Sequence, residues 1–379
     1  MEAFRIKNGL QAGRYLGSNG TETAGSVGYS LAGASYDGVS FSVAAQDNIP
    51  TGLLFNGDGT KLYICGTQNE SIYQYSVSTA YDINTASYDS VSFSVSSQES
   101  NLQGFSFNSN GTKLYVVGGG SDTVYQYTLS TAFDLSTASY DSVSFSVAGQ
   151  DTNPYDVIFN TDGTKMYIAG NGTDAVYQYS LSTGFDLSTA SYDSVSLSVS
   201  GQDATPVGIS YNNDGTKLFM VGATNDNIYQ YSLSTPFDLS TASYDSVSFS
   251  VASQSTAPQG LTFNGDGTKV YVIDAIGDSI YQYSTVAYTQ TLDLSTGTTF
   301  SFTPSGATTV SFTNPPATGT AIGFSVEING DGSAITWPSS VKWHLATAPT
   351  ATATKELYTF VTTDGGTTYY GKKAAEGLA

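Results

Sequence analysis

The chain has 379 residues, enough for two or three domains and a large core. Lys and Arg number 12 against 32 Asp and Glu, and the resulting net charge of −20 argues against a nucleic-acid backbone or an anionic lipid surface as ligand. Cys65 is the one cysteine, so an internal disulfide and a cysteine-based metal cluster are excluded, while 28 Tyr and 19 Phe among abundant Gly, Ser and Thr indicate an all-β protein.

The opening MEAFRIKNGLQAGRYLG lacks the apolar core of a signal peptide, and no run of about 18 apolar residues marks a transmembrane helix. Folding in a cytoplasm and no membrane insertion are expected. From there the chain is repetitive. The tyrosine of SYDSVSFSV or its variants falls at Tyr36, Tyr88, Tyr140, Tyr192 and Tyr244, and the aromatic residue leading the Asn-x-Asp-Gly-Thr-Lys string falls at Phe55, Phe107, Phe159, Tyr211 and Phe263. Every step is 52 residues, which defines five equivalent units.

Each unit reads as four strands. The first is short and apolar, as in Gly260–Phe263, and leads into a tight turn whose Gly59, Gly111, Gly163, Gly215 and Gly267 supply a positive φ. The second, as in Leu114–Val117, is continuously apolar, the pattern of a strand covered on both faces. The third is Val124–Tyr127. The fourth alternates, with Val143, Phe145 and Val147 opposite Ser142, Ser144 and Ser146. Four antiparallel strands per repeat fit a propeller blade. The segment Pro206 to Val221 resembles the repeats of YVTN-type propeller proteins, which implies that it forms the two inner strands of a blade.

The fold expected is a five-bladed β-propeller over residues 31–287. The last repeat lacks a fourth strand of its own, because the 52-residue step from Tyr244 falls on Thr296. The strand Tyr36–Val43 is therefore expected to complete the fifth blade and close the ring, with Thr299–Pro304 as the rival. Closure brings the two ends of the propeller together, so residues 1–30 and 288–379 are expected to form one carrier module.

The period stops in residues 288–379. Phe300 and Phe302, Val310 and Phe312, and Phe324, Val326 and Ile328 alternate as strands of a small β-sandwich-like module. Trp337 and Trp343 are read as packing residues, His344 as structural or surface, and residues 371–379 as a frayed tail or short docking segment. The stretch TLDLSTGTTFSFTPSGATTVSF through YTFVTTDGGTTYYG is similar to a β-module of tailed-phage virion proteins, and FRIKNGLQAGRYLGSNG is similar to phage fibre sequence. The resemblance implies a virion location, tail-protein partners and a homotrimer.

No residue pattern indicates chemistry. Asp58, Asp162, Asp214 and Asp266 recur in the Asp-Gly-Thr turns, but Asn110 interrupts the series and each loop offers too few oxygens for calcium. Asp134 and Asp141 are read as turn formers. A glycosidase needs a unique carboxylate pair, whereas these acids come in fivefold copies. No catalytic residue, metal or cofactor is expected.

Comparing the five repeats with one another shows where they differ. The turn between strands one and two and the connection between strands three and four are nearly constant. The loops between strands four and one (AQDNIPTG, SQESNLQG, GQDTNPYD, GQDATPVG, SQSTAPQG) and between strands two and three (GTQNES, GGGSDT, GNGTDA, GATNDN, DAIGDS) vary. In an up-and-down blade these variable loops share one face. Gln46, Asp47, Asn48, Asn69, Gln98, Asn101, Asp122, Asp151, Asn153, Asn171, Asp203, Asn225, Asp226 and Asp278 are candidate hydrogen-bonding groups for a hydroxyl-rich ligand, and Tyr155 a candidate stacking ring. The glutamines recurring at 46, 98, 150, 202 and 254 also suit a role in holding the loop. The function expected is a non-catalytic phage receptor-binding protein that attaches to a host-surface glycan or protein. The alternatives are a decorating or connecting virion protein and a tailspike-like polysaccharide depolymerase.

Overall fold

The computed structural model describes residues 28–285, 288–304, 308–330, 335–344 and 347–378. The expected contribution of residues 1–27 to a carrier module lies outside the described residues.

The five repeats form five four-stranded antiparallel sheets, the blades of a five-bladed β-propeller. Blade one comprises Pro50–Phe55, Lys61–Gly66, Ser71–Val77 and Ala86–Ser94. The inner strands Pro50–Phe55, Leu102–Phe107, Pro154–Phe159, Pro206–Tyr211 and Pro258–Phe263 pack each against the next, and the fifth packs on the first, so the ring is closed. The core is a set of layers between blades. Leu62 and Ile64 pack with Tyr271 and Ile273 of blade five, whereas Tyr63 and Cys65 on the same strand pack with Leu114 and Val116 of blade two. That is why the second strand reads as continuously apolar: both of its faces are covered.

Closure is made by the N-terminal strand Ser35–Ser42, which pairs antiparallel with Ser279–Ser284. The rival, Thr299–Phe302, instead pairs in parallel with Ser325–Ile328 of the C-terminal module. The N-terminal segment supplies more than a strand. Tyr29 donates its N–H to the Gly267 carbonyl at 2.7 Å, as Phe133 does to Gly111 at 2.9 Å. Leu31 N–H donates to Gln230 Oε1 at 3.0 Å, as Leu135 does to Gln74. Tyr29, just before the expected boundary at 31, thus already packs and bonds as part of blade five.

The fourth strand departs from strict alternation. Its pairing slips between Tyr140 and Val143, where Ser142 takes φ 58°. This bulge makes Asp141 an ion-pair residue rather than the turn former expected: its Oδ2 accepts from Lys113 Nζ at 2.7 Å and Gln126 Nε2 at 2.9 Å. Asp134 does form a turn, capping Leu135–Thr137 by accepting from Ser136 N. The Lys–Gln–Asp cluster repeats in every blade. In blade five the carboxylate is Asp37, delivered by the closing strand to Lys269 at 2.6 Å.

The C-terminal module has two sheets. One is three-stranded and parallel, Tyr288–Asp293, Thr308–Thr313 and Ile335–Thr336. The other has five strands in the order Thr299–Phe302, Ile322–Asn329, Lys355–Thr362, Tyr369–Leu378 and Val341–Trp343. Trp337 is buried against Phe312, Trp343, Tyr358 and Phe360. The ending expected to be a frayed tail or a short docking segment is a strand up to Leu378, held by Lys373, which ion-pairs with the fully buried Glu356. A buried carboxylate without that lysine would be costly, and its partner is invisible in the tail's own composition.

Candidate ligand-binding face

The two variable loops lie side by side, and in blades one, three, four and five they are joined by a backbone bond. Thr67 N–H donates to Ile49 O, Asn171 N–H to Asn153 O, Ala223 N–H to Thr205 O and Ala275 N–H to Ala257 O, all at 3.0–3.1 Å. The constant loops meet each other at the opposite ends of the strands, where Tyr81 N–H donates to Gly59 O. There Asp58 Oδ1 accepts from Thr60 N at 3.0 Å and Thr60 Oγ1 at 2.6 Å, as a turn former.

Several predicted ligand groups belong to the scaffold of the variable face. Asp47, Asp151 and Asp203 are each only 1% exposed. Asp151 accepts from Asn153 N, Gly172 N and Thr173 Oγ1, and Asp203 from Thr205 N, Thr224 N and Asn225 N. Asp47 accepts from Ile49 N at 2.9 Å. The fully buried Glu99 does the same for Asn101 N, Gly120 N and Ser121 Oγ in blade two. Asp151, Asp203 and Glu99 tie one variable loop to the other, whereas Asp47 bonds within its own loop and its Oδ2 has no hydrogen-bond partner. Gln46, Gln98, Gln150 and Gln202 accept from the Tyr75, Tyr127, Tyr179 and Tyr231 hydroxyls on the third strand, at 2.9–3.3 Å, so these four glutamines bond a side chain and not the backbone expected; in blade five the Tyr283 hydroxyl has no hydrogen-bond partner. Composition alone does not separate such groups from ligand donors, because both are polar residues in a loop.

The remaining predicted groups lie nearer solvent. Asn48, Asn69 and Asn225 are exposed, and Asn101, Asn153, Asn171 and Tyr155 are half-buried. Tyr155 packs against the core layer containing Val207 and Val221, which leaves only part of its ring free. Asp122, Asp226 and Asp278 occupy left-handed backbone at φ 45–51°, and one carboxyl oxygen of each has no hydrogen-bond partner. Burial raises the pKa of all three above the usual carboxylate range, with help from Asp151 beside Asp122, Asp203 and Asp274 beside Asp226, and Asp274 and Asp47 beside Asp278.

Two features escaped the sequence reading. The first is apolar. The large hydrophobic side chains exposed among the described propeller residues are Ile49, at 46%, and Ile276, at 71%. Both lie on the variable face, on the neighbouring blades one and five. The second is Asp156. The third position of the inner strand is Gly52, Gly104, Gly208 and Gly260 in four blades, where neighbouring backbones approach closely; a Cβ on Gly208 would meet Gly260 Cα at 2.9 Å. Blade three carries Asp156 there. Its carboxyl accepts from its neighbour Val157 N at 2.8 Å and, across the blade boundary, from Ile209 N at 3.0 Å. Burial lifts its pKa to about 7 despite those two bonds. The signal was present as one aspartate in a column of glycines.

At the constant-loop end, Leu54, Ser106, Ile158, Ser210 and Tyr211 line a cavity of about 360 Å³. No group of three or more His, Cys, Asp or Glu side chains among the described residues is arranged to hold a metal ion.

No family model matches the chain, and no curated protein matches it. Solved structures similar to it include a Bacteroides uniformis protein described only provisionally as a 6-phosphogluconolactonase, at 12% identity and a TM-score of 0.40 over 61% of this chain and 65% of that one. Another is the β-propeller domain of Cps50 (Swd1) from Myceliophteria thermophila, at 14% identity and a TM-score of 0.36 over 62% and 65%. The chain spans less than two thirds of the length of each.

Proposed function

We infer that this chain is a non-catalytic attachment protein of a phage virion, which contacts a host-surface glycan or protein through the variable face of its propeller. The observation that carries this reading is the placement of Ile49 and Ile276. Solvent-exposed isoleucines on adjacent blades contribute nothing to the core, yet both fall on the face where the repeats differ. Around them Asn48 and Asn69 supply neutral hydrogen-bonding groups. The buried carboxylate clamps hold the loop backbones fixed, which lowers the ordering cost of binding. A homotrimer assembled with other virion proteins would multiply weak contacts into avidity.

The test is adsorption of virions carrying the double substitution Ile49→Ser and Ile276→Ser. Adsorption to host cells is expected to fall at least tenfold with the melting temperature unchanged. Unaltered adsorption would overturn the reading, and burial of these loops against other virion proteins would replace it with a connecting role. Progressive shortening of host polysaccharide by the purified chain would replace it with a depolymerase.

A further inference from the structure

The C-terminal module carries a second surface that folding does not explain. Its five-stranded sheet buries Phe360, Tyr369 and Val341 on one side, at 1%, 3% and 7% exposure. Alternation should then place polar residues on the other. Instead Val361 and Tyr370 stand there, 46% and 63% exposed. Tyr370 pairs with Val361 on one flanking strand and with Lys342 on the other, so the three form a row across the sheet. Two residues along, Lys372 pairs with Thr359. His344 follows the edge strand and is anchored by its N–H to the Gly371 carbonyl at 3.1 Å. Together with Trp343, Phe360 and Gly371 these residues line a cleft of about 460 Å³, within the range of small-ligand sites.

Charge points to the occupant. The five propeller lysines each pair with an aspartate, Lys355 pairs with Glu327, and Lys373 pairs with Glu356 and Glu376. Lys342 and Lys372 make no ion pair among the described residues. Both border this cleft, together with His344, the chain's single histidine. Among the described residues, the cations without an ion-pair partner thus gather around one exposed tyrosine, in a chain of net charge −20. A densely charged polyanion would be repelled by the rest of the molecule. A ligand with an isolated carboxylate on an otherwise neutral body would not.

We propose that the Lys342–Tyr370–Lys372 cleft binds a saccharide bearing a carboxylate, a second carbohydrate site separate from the propeller face. The apolar face of the sugar ring stacks on Tyr370, its carboxylate pairs with Lys342 or Lys372, and its hydroxyls meet Thr359 and His344. The apolar atoms form a flat row and offer no deep pocket for a peptide anchor, which favours a ring over an acidic peptide.

The experiment is calorimetric titration of the full chain with trigalacturonate, sialyllactose, maltotriose and oligoglutamate. Binding is expected for one or both acidic sugars, and which of them binds separates a uronic from a sialic source. Affinity should weaken with salt and fall at least tenfold in Tyr370→Ala and in Lys372→Gln. Lys355→Gln should leave it unchanged, and so should Ile49→Ser with Ile276→Ser, which separates this site from the propeller reading. Three results would overturn the proposal: no acidic sugar bound, equal binding in the Tyr370 and Lys372 variants, or equal binding of oligoglutamate. Conversion of an oligomer to monomers by Tyr370→Ala would overturn it as well, by assigning the cleft to contact between copies.

Discussion

Ser255 donates its hydroxyl to Asp274 at 2.6 Å and so reverses an arrangement found in the other blades. There the carboxylate comes from the loop, as Asp47, Glu99, Asp151 or Asp203, and the end of the second strand is Gly66, Gly118, Gly170 or Gly222. The two positions constrain each other. A Cβ on Gly170 would lie 2.4 Å from the Asp151 carboxylate, so a side chain fits there only when the loop residue is small. Blade five keeps the clamp by exchanging the roles, and Asp274 accepts from Ala257 N at 2.9 Å.

This exchange should be transferable. In blade three, Gly170→Asp alone is expected to destabilise the chain by about 2–4 kcal/mol through overpacking and charge repulsion. Asp151→Ser alone should also destabilise it, because Gly172 N and Thr173 lose their acceptor. The double variant should recover much of the loss, with a coupling of about 1–3 kcal/mol in denaturant unfolding. Additive effects would show that the two positions are independent.

Asp37 is the latch of the ring. Its carboxylate is 6% exposed and accepts from Lys269 Nζ, Gln282 Nε2, Ser284 N and Ser284 Oγ, at 2.6–3.1 Å. Asp37→Ala leaves the half-buried Lys269 ammonium without its anion and three further donors without their acceptor, a loss of about 1–3 kcal/mol. Asp141→Ala removes an equivalent carboxylate that is contiguous with its own blade. Hydrogen exchange is expected to show amides of Ser35–Ser42 opening in the first variant and protected in the second. Equal protection in both would mean that the closing strand is held by its backbone ladder alone.

The repeat, the strand order and N-terminal closure were legible because a 52-residue period survives without insertion and because the last unit lacks a strand. The bulge at Ser142 was not legible: alternation accounts for Val143 to Val147 and says nothing of the aspartate before them. The loop clamps were misread for a physical reason. Asp151 and Asn48 look alike in a polar loop, and only the fold decides that one is buried among three donors while the other faces water. Asp156 closes the compared stretch GQDTNPYD and was passed over as one more polar loop residue, because the string does not show that its column lies in the inner strand, where neighbouring backbones approach closely.

Phe219 marks a missing bond. Tyr63, Tyr115 and Tyr167 donate their hydroxyls to the carbonyls of Phe133, Phe185 and Phe237 in the following blade, and Tyr271 donates to Tyr81 O at 2.6 Å. Blade four has Phe219 at this position, facing Tyr29 of the closing segment. Phe219→Tyr is expected to supply the absent donor to Tyr29 O and to stabilise the chain by about 1 kcal/mol. A lower melting temperature would mean that the fourth boundary is too tight for the hydroxyl.

Asp156 gives the chain a pH dependence opposite in sign to that of its ion-paired aspartates. Its pKa rises from 3.8 to about 7 on folding, chiefly through burial. Between those values the folded state holds a proton that the unfolded state releases. Its contribution is therefore greatest below about pH 4 and is lost as the pH climbs through 7. Asp141 and Asp193 act in reverse, since the lysine and hydroxyl bonds that hold their pKa down stabilise the fold above pH 4 and are lost on acidification. The two effects separate in the difference between the native chain and Asp156→Gly, which restores the glycine present in the other four blades. The variant loses two hydrogen bonds to backbone N–H groups and gains about 0.5–1 kcal/mol of unfolded-state entropy. It should consequently be less stable than the native chain at pH 5 and should recover relative to it, or overtake it, at pH 8. Urea unfolding at half-unit steps from pH 4 to 8 measures that difference. A constant difference, or one that grows against the variant with rising pH, would show that Asp156 is ionised throughout.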